Sequence, residues 1–139
     1  MQLDLSRLVR IFTVAVGALI TFLGLWSFFS PQSFYDQLAT FPPYNRHLFH
    51  DVGAFQIGIG AGLMLAVRAR DALLLGLEVG AIASVVHAIS HVIDRNLGGR
   101  TTDPLSLSLL ALLFVAAAVL RRRELSSRAE RRAEVVQTD

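Results

Sequence analysis

Four long apolar runs are the feature that most constrains the fold of this chain. They cover residues 11–29, 48–67, 72–93 and 104–120, and each holds at most one charged residue. A helix of about 20 residues crosses the roughly 30 Å of hydrocarbon in a bilayer, where the backbone must satisfy its own hydrogen bonds. The runs therefore predict an all-α fold, an integral membrane four-helix bundle.

The overall composition agrees with a membrane protein. Of the 139 residues, 53% are hydrophobic and only 17% are charged, which is too apolar for an ordinary soluble domain. The 13 basic residues are all arginines that flank the apolar runs, so we expect no nucleic-acid partner. The absence of cysteine excludes disulfides and thiolate metal ligands. Three further runs follow the first, which we therefore interpret as a retained span and not a cleaved signal peptide.

The arginines are distributed unevenly between the two ends of the predicted bundle. Two precede the first span, two lie between the second and third spans, and six follow the fourth, against three at the opposite ends. By the positive-inside rule we expect both termini in the cytoplasm and a multi-pass protein of the plasma membrane. The chain then divides into a four-span domain at 1–120 and a charged cytoplasmic tail at 121–139, which is helical or partly disordered.

The linkers carry turn and cap signals. Ser30 and Pro31 are typical of the start of a short helix, within an aromatic segment that resembles the belt at a membrane boundary. Pro42-Pro43 ends any helix, and Asn45 is placed to cap the second span. Residues 68–71 predict a tight turn between the second and third spans, with Arg68, Arg70 and Asp71 in it.

Small and polar residues inside the spans predict close helix contacts. Glycines that favour such contact recur in spans two and three, at Gly53, Gly58, Gly60, Gly62, Gly76 and Gly80. Gln56 is expected to form a hydrogen bond between helices or to line a small cavity. Glu78 is an intramembrane carboxylate, which is a candidate functional group or a protonated structural one.

All four histidines lie at the ends of spans two and three that the arginine count places outside. His47, His50 and Asp51 begin span two, and His87, His91 and Asp94 end span three. Because a short turn joins these antiparallel spans, we expect their far ends to meet. Neutral imidazoles and carboxylates are ligands for divalent zinc, copper or iron, so this cluster is a candidate metal site.

Two other interpretations of the histidines stay open. They could form a hydrogen-bonded cluster at the membrane interface, with each imidazole satisfied by a neighbouring carboxylate. They could also act in acid–base catalysis or proton sensing, oriented by Asp51 or Asp94. Haem ligation by two histidines is less favoured, because glycine-rich spans leave little of the wide apolar cleft that haem requires.

One segment of the chain resembles a known group of proteins. Pro42-Pro43-Tyr44-Asn45-Arg46-His47, then Asp51-Val52-Gly53-Ala54-Phe55, then paired histidines closing the third span are similar to small four-span membrane proteins of actinobacteria. These are of the DoxX-like type and related domain-of-unknown-function families. The resemblance covers about residues 42–94 and implies the four-helix fold but no activity. It draws attention to Asn45 and favours His47, Asp51, His87 and His91 as metal ligands, with His50 and Asp94 secondary.

Three classes of function follow. The first is a membrane protein with an outward-facing His/Asp site that binds a divalent metal as a redox or accessory component. The second is a structural or assembly subunit without metal, in a homo-oligomer or a larger membrane complex and in contact with the lipid bilayer. The third is a small enzyme acting on a lipid or a quinone-like substrate.

Overall fold

The computed structural model describes residues 4–69 and 72–138, and over these residues the chain is helical with no strands. The helices are α1 (Leu5–Phe29), α2 (Pro31–Gln37), α3 (Arg46–Ala66), α4 (Ala72–Ile93) and α5 (Asp103–Thr138). All but the short α2 are long and apolar enough to cross a membrane. The predicted all-α fold with four spans is therefore confirmed, and the cytoplasmic placement of the termini stays a prediction.

The helix starts follow the capping residues of the sequence. The Asn45 carboxamide oxygen accepts hydrogen bonds from the backbone N–H groups of His47 and Leu48 at 3.1 and 3.2 Å, which confirms the predicted cap of α3. Asp4 caps α1 in the same way, so this helix begins before the apolar run at residue 11. Helix α2 begins at Pro31 as predicted, but the Ser30 side chain makes no capping bond to it.

Helices α1 and α3 pack with their backbones in contact. An added Cβ at Gly24 would lie 2.8 Å from the carbonyl oxygen of Gly53, and one at Gly17 would lie 2.9 Å from that of Gly60. These distances leave no room for a side chain, so glycine is required at the crossing. The close contact predicted for span two is confirmed at Gly53 and Gly60.

The second tight pair consists of α4 and α5. Gly80 lies against the ring of Phe114, a side chain of α5 that is fully buried. Leu73 and Leu77 of α4 are buried in the same core, and Phe12 of α1 contacts Phe114 edge-to-face with ring centroids 5.3 Å apart. The core thus joins the α4–α5 pair to α1.

Contact between α3 and α4 is concentrated near the turn that joins them. There an added Cβ at Gly76 would lie 2.9 Å from the Cβ of Ala66. Gly58 and Gly62, by contrast, have no neighbouring atom within 4 Å of an added Cβ, so the expectation of close packing was wrong for these two glycines within this chain. Arg70 and Asp71, assigned to the turn from the sequence, lie outside the described residues.

The two ends of the bundle differ in chemistry. We call the end formed by α2, residues 38–45 and residues 94–102 the histidine end. The arginine end comprises the start of α1, residues 67–69 and α5 from Leu120 onward, where α5 continues as one helix through the charged tail. At the arginine end Arg10 donates to the carbonyl oxygen of Val67 at 2.7 Å and so satisfies a free carbonyl at the end of α3.

Candidate functional site

The four histidines lie at the histidine end, as predicted, but in two separate surroundings. His47 and His50 are in the first turns of α3, and His87 and His91 are in the last turns of α4. Over the described residues, no hydrogen bond, ion pair or ring contact joins a histidine of α3 to one of α4. The structure therefore keeps the histidines of α3 apart from those of α4, and of the four only His87 and His91 are in ring contact with each other among the described residues.

On α3, His47 and Asp51 form an exposed pair. Nε2 of His47 lies 3.5 Å from Oδ2 of Asp51 one turn later, and the two side chains are 85% and 53% exposed. Such an exposed pair contributes about 0.5 kcal/mol to stability at most. His50 turns away from this pair and packs against Phe28 of α1, with ring centroids 5.2 Å apart.

Of the two histidines of α4, His91 is partly buried and His87 is exposed. The rings of His87 and His91 meet edge-to-face with centroids 4.8 Å apart. The side chain of His91 is only 17% exposed, and its Nδ1 lies 4.0 Å from Oδ2 of Asp103, the first residue of α5. The carboxylate that approaches His91 thus comes from the next helix.

Sequence reasoning missed Asp103 and favoured Asp94. Asp94 follows α4 directly and makes no side-chain contact with either histidine of α4 in the described part of the chain. Asp103 precedes Pro104 at the start of α5, and its Oδ2 also accepts a hydrogen bond from the backbone N–H of Arg100 at 2.8 Å. The Asp-Pro pair was a usable signal, because it marks a helix start that must lie beside the end of an antiparallel α4.

Two loops close over this cluster. Phe41, in the loop before α3, contacts the ring of His91 edge-to-face with centroids 5.5 Å apart. Gly99 N–H donates to the carbonyl oxygen of Thr40 at 2.9 Å, and Arg100 donates to that of Gln37. Gly99 has a φ of +76°, and an added Cβ would lie 2.6 Å from Phe41, so glycine is required there. The loops hold Phe41 as a cover over His91.

A pocket of about 360 Å³ lies beside His91. It is lined by His91, Val92, Arg95, Asn96, Gly98, Arg100, Thr101 and Pro104. Its side chains offer more hydrogen-bond donors than acceptors. The histidine end can therefore hold polar groups through donors, with the Asp103 carboxylate as a nearby acceptor.

The predicted metal site gains no support from this geometry. Among residues 4–69 and 72–138, no three histidine, aspartate or glutamate side chains are grouped so that they could hold a metal ion. The joint site of His47, Asp51, His87 and His91 stays a prediction. His50 and Asp94, the secondary candidates, lie against Phe28 and at the end of α4 respectively.

The two polar residues inside the spans have different surroundings. Glu78 of α4 accepts a hydrogen bond from the guanidinium of Arg122 in α5. The negative charge of Glu78 is therefore compensated by an ion pair between the two helices. Gln56 of α3 lies beside Gly24 of α1, and its side-chain oxygen is buried without a hydrogen-bond partner in the described residues. Glu78 therefore serves to link α4 to α5 near the arginine end.

A second candidate site is an apolar cleft between α3 and α4, toward the arginine end. Its volume is about 480 Å³, and α3 contributes Gly58, Ile59, Gly62 and Leu65 to it. The opposite wall is formed by α4 at Leu75, Gly76 and Val79. No ionisable side chain of the described residues lines this α3–α4 cleft, so its surface suits an apolar group.

Comparison with known proteins adds no assignment. No family model matches this chain, and no curated protein or solved structure is significantly similar to it. The resemblance to small four-span actinobacterial membrane proteins stays a prediction. The function has to be inferred from the two sites themselves.

Proposed function

We propose that this multi-pass membrane protein is a structural subunit of a homo-oligomer, in which α3 of one copy packs against α3 of a second copy at the α3–α4 cleft. This is the second of the three classes expected from the sequence. The observation that carries it is the pair Gly58 and Gly62, which lie one turn apart, face the cleft and touch nothing within 4 Å of an added Cβ.

Glycine destabilises the interior of a helix, and contact with another helix must offset this cost in free energy. Each glycine in a helix interior is about 1 kcal/mol less favourable than alanine in soluble hosts. Gly53 and Gly60 offset this cost through their contact with α1, whereas Gly58 and Gly62 have no such contact within the described chain. A spacing of four residues places both on one face, where a second helix can approach to backbone distance.

A second copy is the occupant that the chain itself favours. Where α1 crosses α3, Gly24 and Gly53 lie against each other's backbone, so one glycine face can be an effective complement to another. A two-fold axis beside the open glycine face of α3 would place Gly58 and Gly62 of both copies in contact. The exposed side chains of Phe55 and Leu65 on either side of the glycines would then be covered as well.

Cysteine cross-linking tests this contact directly, since the natural chain has no cysteine. Ile59→Cys places a thiol in the cleft, and Val86→Cys places one on an exposed position of α4 outside it. In purified protein reconstituted into phosphatidylcholine vesicles, oxidation should give a band near twice the 15.2-kDa chain for Ile59→Cys only. Equal cross-linking of both variants, or none at Ile59→Cys, would overturn the proposal.

The orientation of the subunit is part of the same proposal. The arginine end, which carries nine of the 13 arginines among the described residues, would lie in the cytoplasm together with both termini. Tags at each terminus should resist external protease in intact cells and be cleaved after lysis. Cleavage of either tag from outside would reverse the orientation.

A second candidate function uses the histidine end, as a divalent-metal site of a redox or accessory protein. Its ligands would be the imidazoles of His87 and His91, whose ring centroids are 4.8 Å apart, and the nearby carboxylate of Asp103. These side chains would have to move to bind an ion, because no three such groups of the described residues are arranged as metal ligands in this structure. Zinc added to purified protein would then be retained by wild type and by His47→Ala but lost from His91→Ala. Equal zinc content in all three proteins would exclude this candidate.

A further inference from the structure

A groove of about 650 Å³ lies at the arginine end, between the first turns of α1 and the stretch of α5 that follows its apolar run. One side is apolar and is formed by Leu5, Val9 and Leu120. The other side is polar and is formed largely by Arg123, Ser127 and Arg131, which succeed one another at steps of four along one face of α5. The groove is therefore amphipathic, with apolar and basic walls side by side.

The acidic residues of the groove are already engaged. Glu124 forms ion pairs with Arg121 at 2.8 Å and with Arg128 at 2.5 Å, one through each carboxylate oxygen. Asp4 accepts three hydrogen bonds in capping α1, from the backbone N–H groups of Ser6 and Arg7 and from the Ser6 hydroxyl. Both carboxylates thus have partners within the chain.

Two guanidinium groups are left for an external anion. Arg123 and Arg131 are exposed and make no ion pair within residues 4–69 and 72–138. They are eight residues apart in the sequence, which corresponds to about 12 Å along a helix, and their long side chains can converge on one group between them. Guanidinium groups are well suited to phosphate, which accepts their hydrogen bonds in pairs.

The groove lies at the position along the bundle where we expect the lipid headgroups. Helix α5 has 36 residues and is about 54 Å long, whereas crossing the hydrocarbon takes about 20 residues. The change from Leu120 to Arg121 therefore marks the membrane boundary, and the groove lies across it. A ligand there would meet the apolar side chains of one wall and the arginines of the other.

We propose that this groove binds the phosphate of an anionic phospholipid, with Arg123 and Arg131 donating to its oxygens and Leu5, Val9 and Leu120 contacting the adjoining acyl chains. Free phosphate shares the first of these contacts but not the second. The inference is independent of the contact proposed between copies, because it concerns the other side of the bundle and a different helix pair.

Native mass spectrometry of the purified full chain in detergent tests this proposal, with dioleoyl phosphatidylglycerol as the probe. Dioleoyl phosphatidylcholine and sodium phosphate are the matched alternatives. Phosphatidylglycerol should remain bound at concentrations at which phosphatidylcholine does not. Each arginine at a membrane surface contributes about 1 kcal/mol, so Arg123→Gln and Arg131→Gln should each weaken binding about fivefold.

Two further variants separate a site from a general charge effect. Arg132→Gln removes the same charge next to Arg131 but outside the groove, and it should leave binding unchanged. Asp4→Asn keeps a capping residue while removing a negative charge from the groove, so it should strengthen binding. Equal weakening by Arg132→Gln and Arg131→Gln would overturn the site, and displacement of the lipid by low concentrations of sodium phosphate would overturn its assignment to lipid.

Discussion

Gly24 of α1 lies directly against Gly53 of α3, and a Cβ added to Gly53 would stand 2.7 Å from the carbonyl oxygen of Gly24. The two nearest atoms to this Cβ belong to backbone and so cannot move aside cheaply. This contact sets how closely α1 and α3 approach. Gly53 and Gly60 of α3 are thus covered by α1, whereas Gly58 and Gly62 are open.

Alanine substitutions should distinguish the two sets. Gly53→Ala should lower the stability of the bundle by about 1–3 kcal/mol, because the helices must move apart to admit a methyl group. Gly62→Ala should raise the stability of the isolated chain by up to about 1 kcal/mol, because alanine favours helix and meets open space. Thermal unfolding in detergent, at protein concentrations where the chain is monomeric, measures both. Similar losses in the two variants would show that Gly62 is also covered.

The glycines also show how far the sequence predicts packing. Gly53 and Gly60 are seven residues apart and therefore share a face, while Gly58 points to nearly the opposite side. The spacing of these glycines therefore places them on two faces of α3. It does not say which face α1 covers, because that depends on how four similar apolar helices are arranged in space.

At the histidine end, too, a local contact could be predicted from the sequence and a contact between helices could not. The cap by Asn45 was predicted because the interaction is local, with donors two and three residues away. The partner of His91 was not, because Asp103 is brought to it only by the packing of α4 against α5. By helical spacing Asp94 would share a face with His87 and His91, but α4 ends at Ile93, one residue earlier.

Removal of each carboxylate should therefore have unequal effects. Asp103→Ala removes the acceptor of the Arg100 N–H and the carboxylate that lies 4.0 Å from His91, in a partly buried setting, which should cost about 1–2 kcal/mol. Asp94→Ala should change stability by less than about 0.5 kcal/mol. Melting temperatures of the two variants under matched conditions provide the measurement, and a larger loss for Asp94→Ala would contradict the assignment.

Acid should loosen the start of α1. Hydrogen bonds from the Ser6 side chain, and then from the Arg7 backbone, hold the pKa of Asp4 below its usual value. A carboxyl whose pKa is lowered in the folded state stabilises that state above its unfolded pKa, and this contribution is lost as the pH falls through the folded value. Wild type should therefore lose stability relative to Asp4→Asn below about pH 4, since asparagine caps without titrating.

Circular dichroism of the two proteins between neutral pH and about pH 2 would measure this difference. Because the asparagine of the variant cannot change charge, all other acid-sensitive groups are common to both proteins and cancel in the comparison. A constant difference in melting temperature over the whole range would show that the Asp4 cap does not contribute as described.

The central claim is that Gly58 and Gly62 form the contact between copies, and energy transfer between labelled chains in vesicles tests it most directly. Chains labelled at the N-terminus with donor or acceptor should show transfer that persists as phosphatidylcholine dilutes them. Gly62→Leu should weaken this association at least tenfold, by about 1.4 kcal/mol or more. Ala116→Leu, which adds apolar bulk at an exposed site of α5 outside the cleft, should leave it unchanged. Transfer that is the same in all three proteins, or absent from the wild type, would contradict the account.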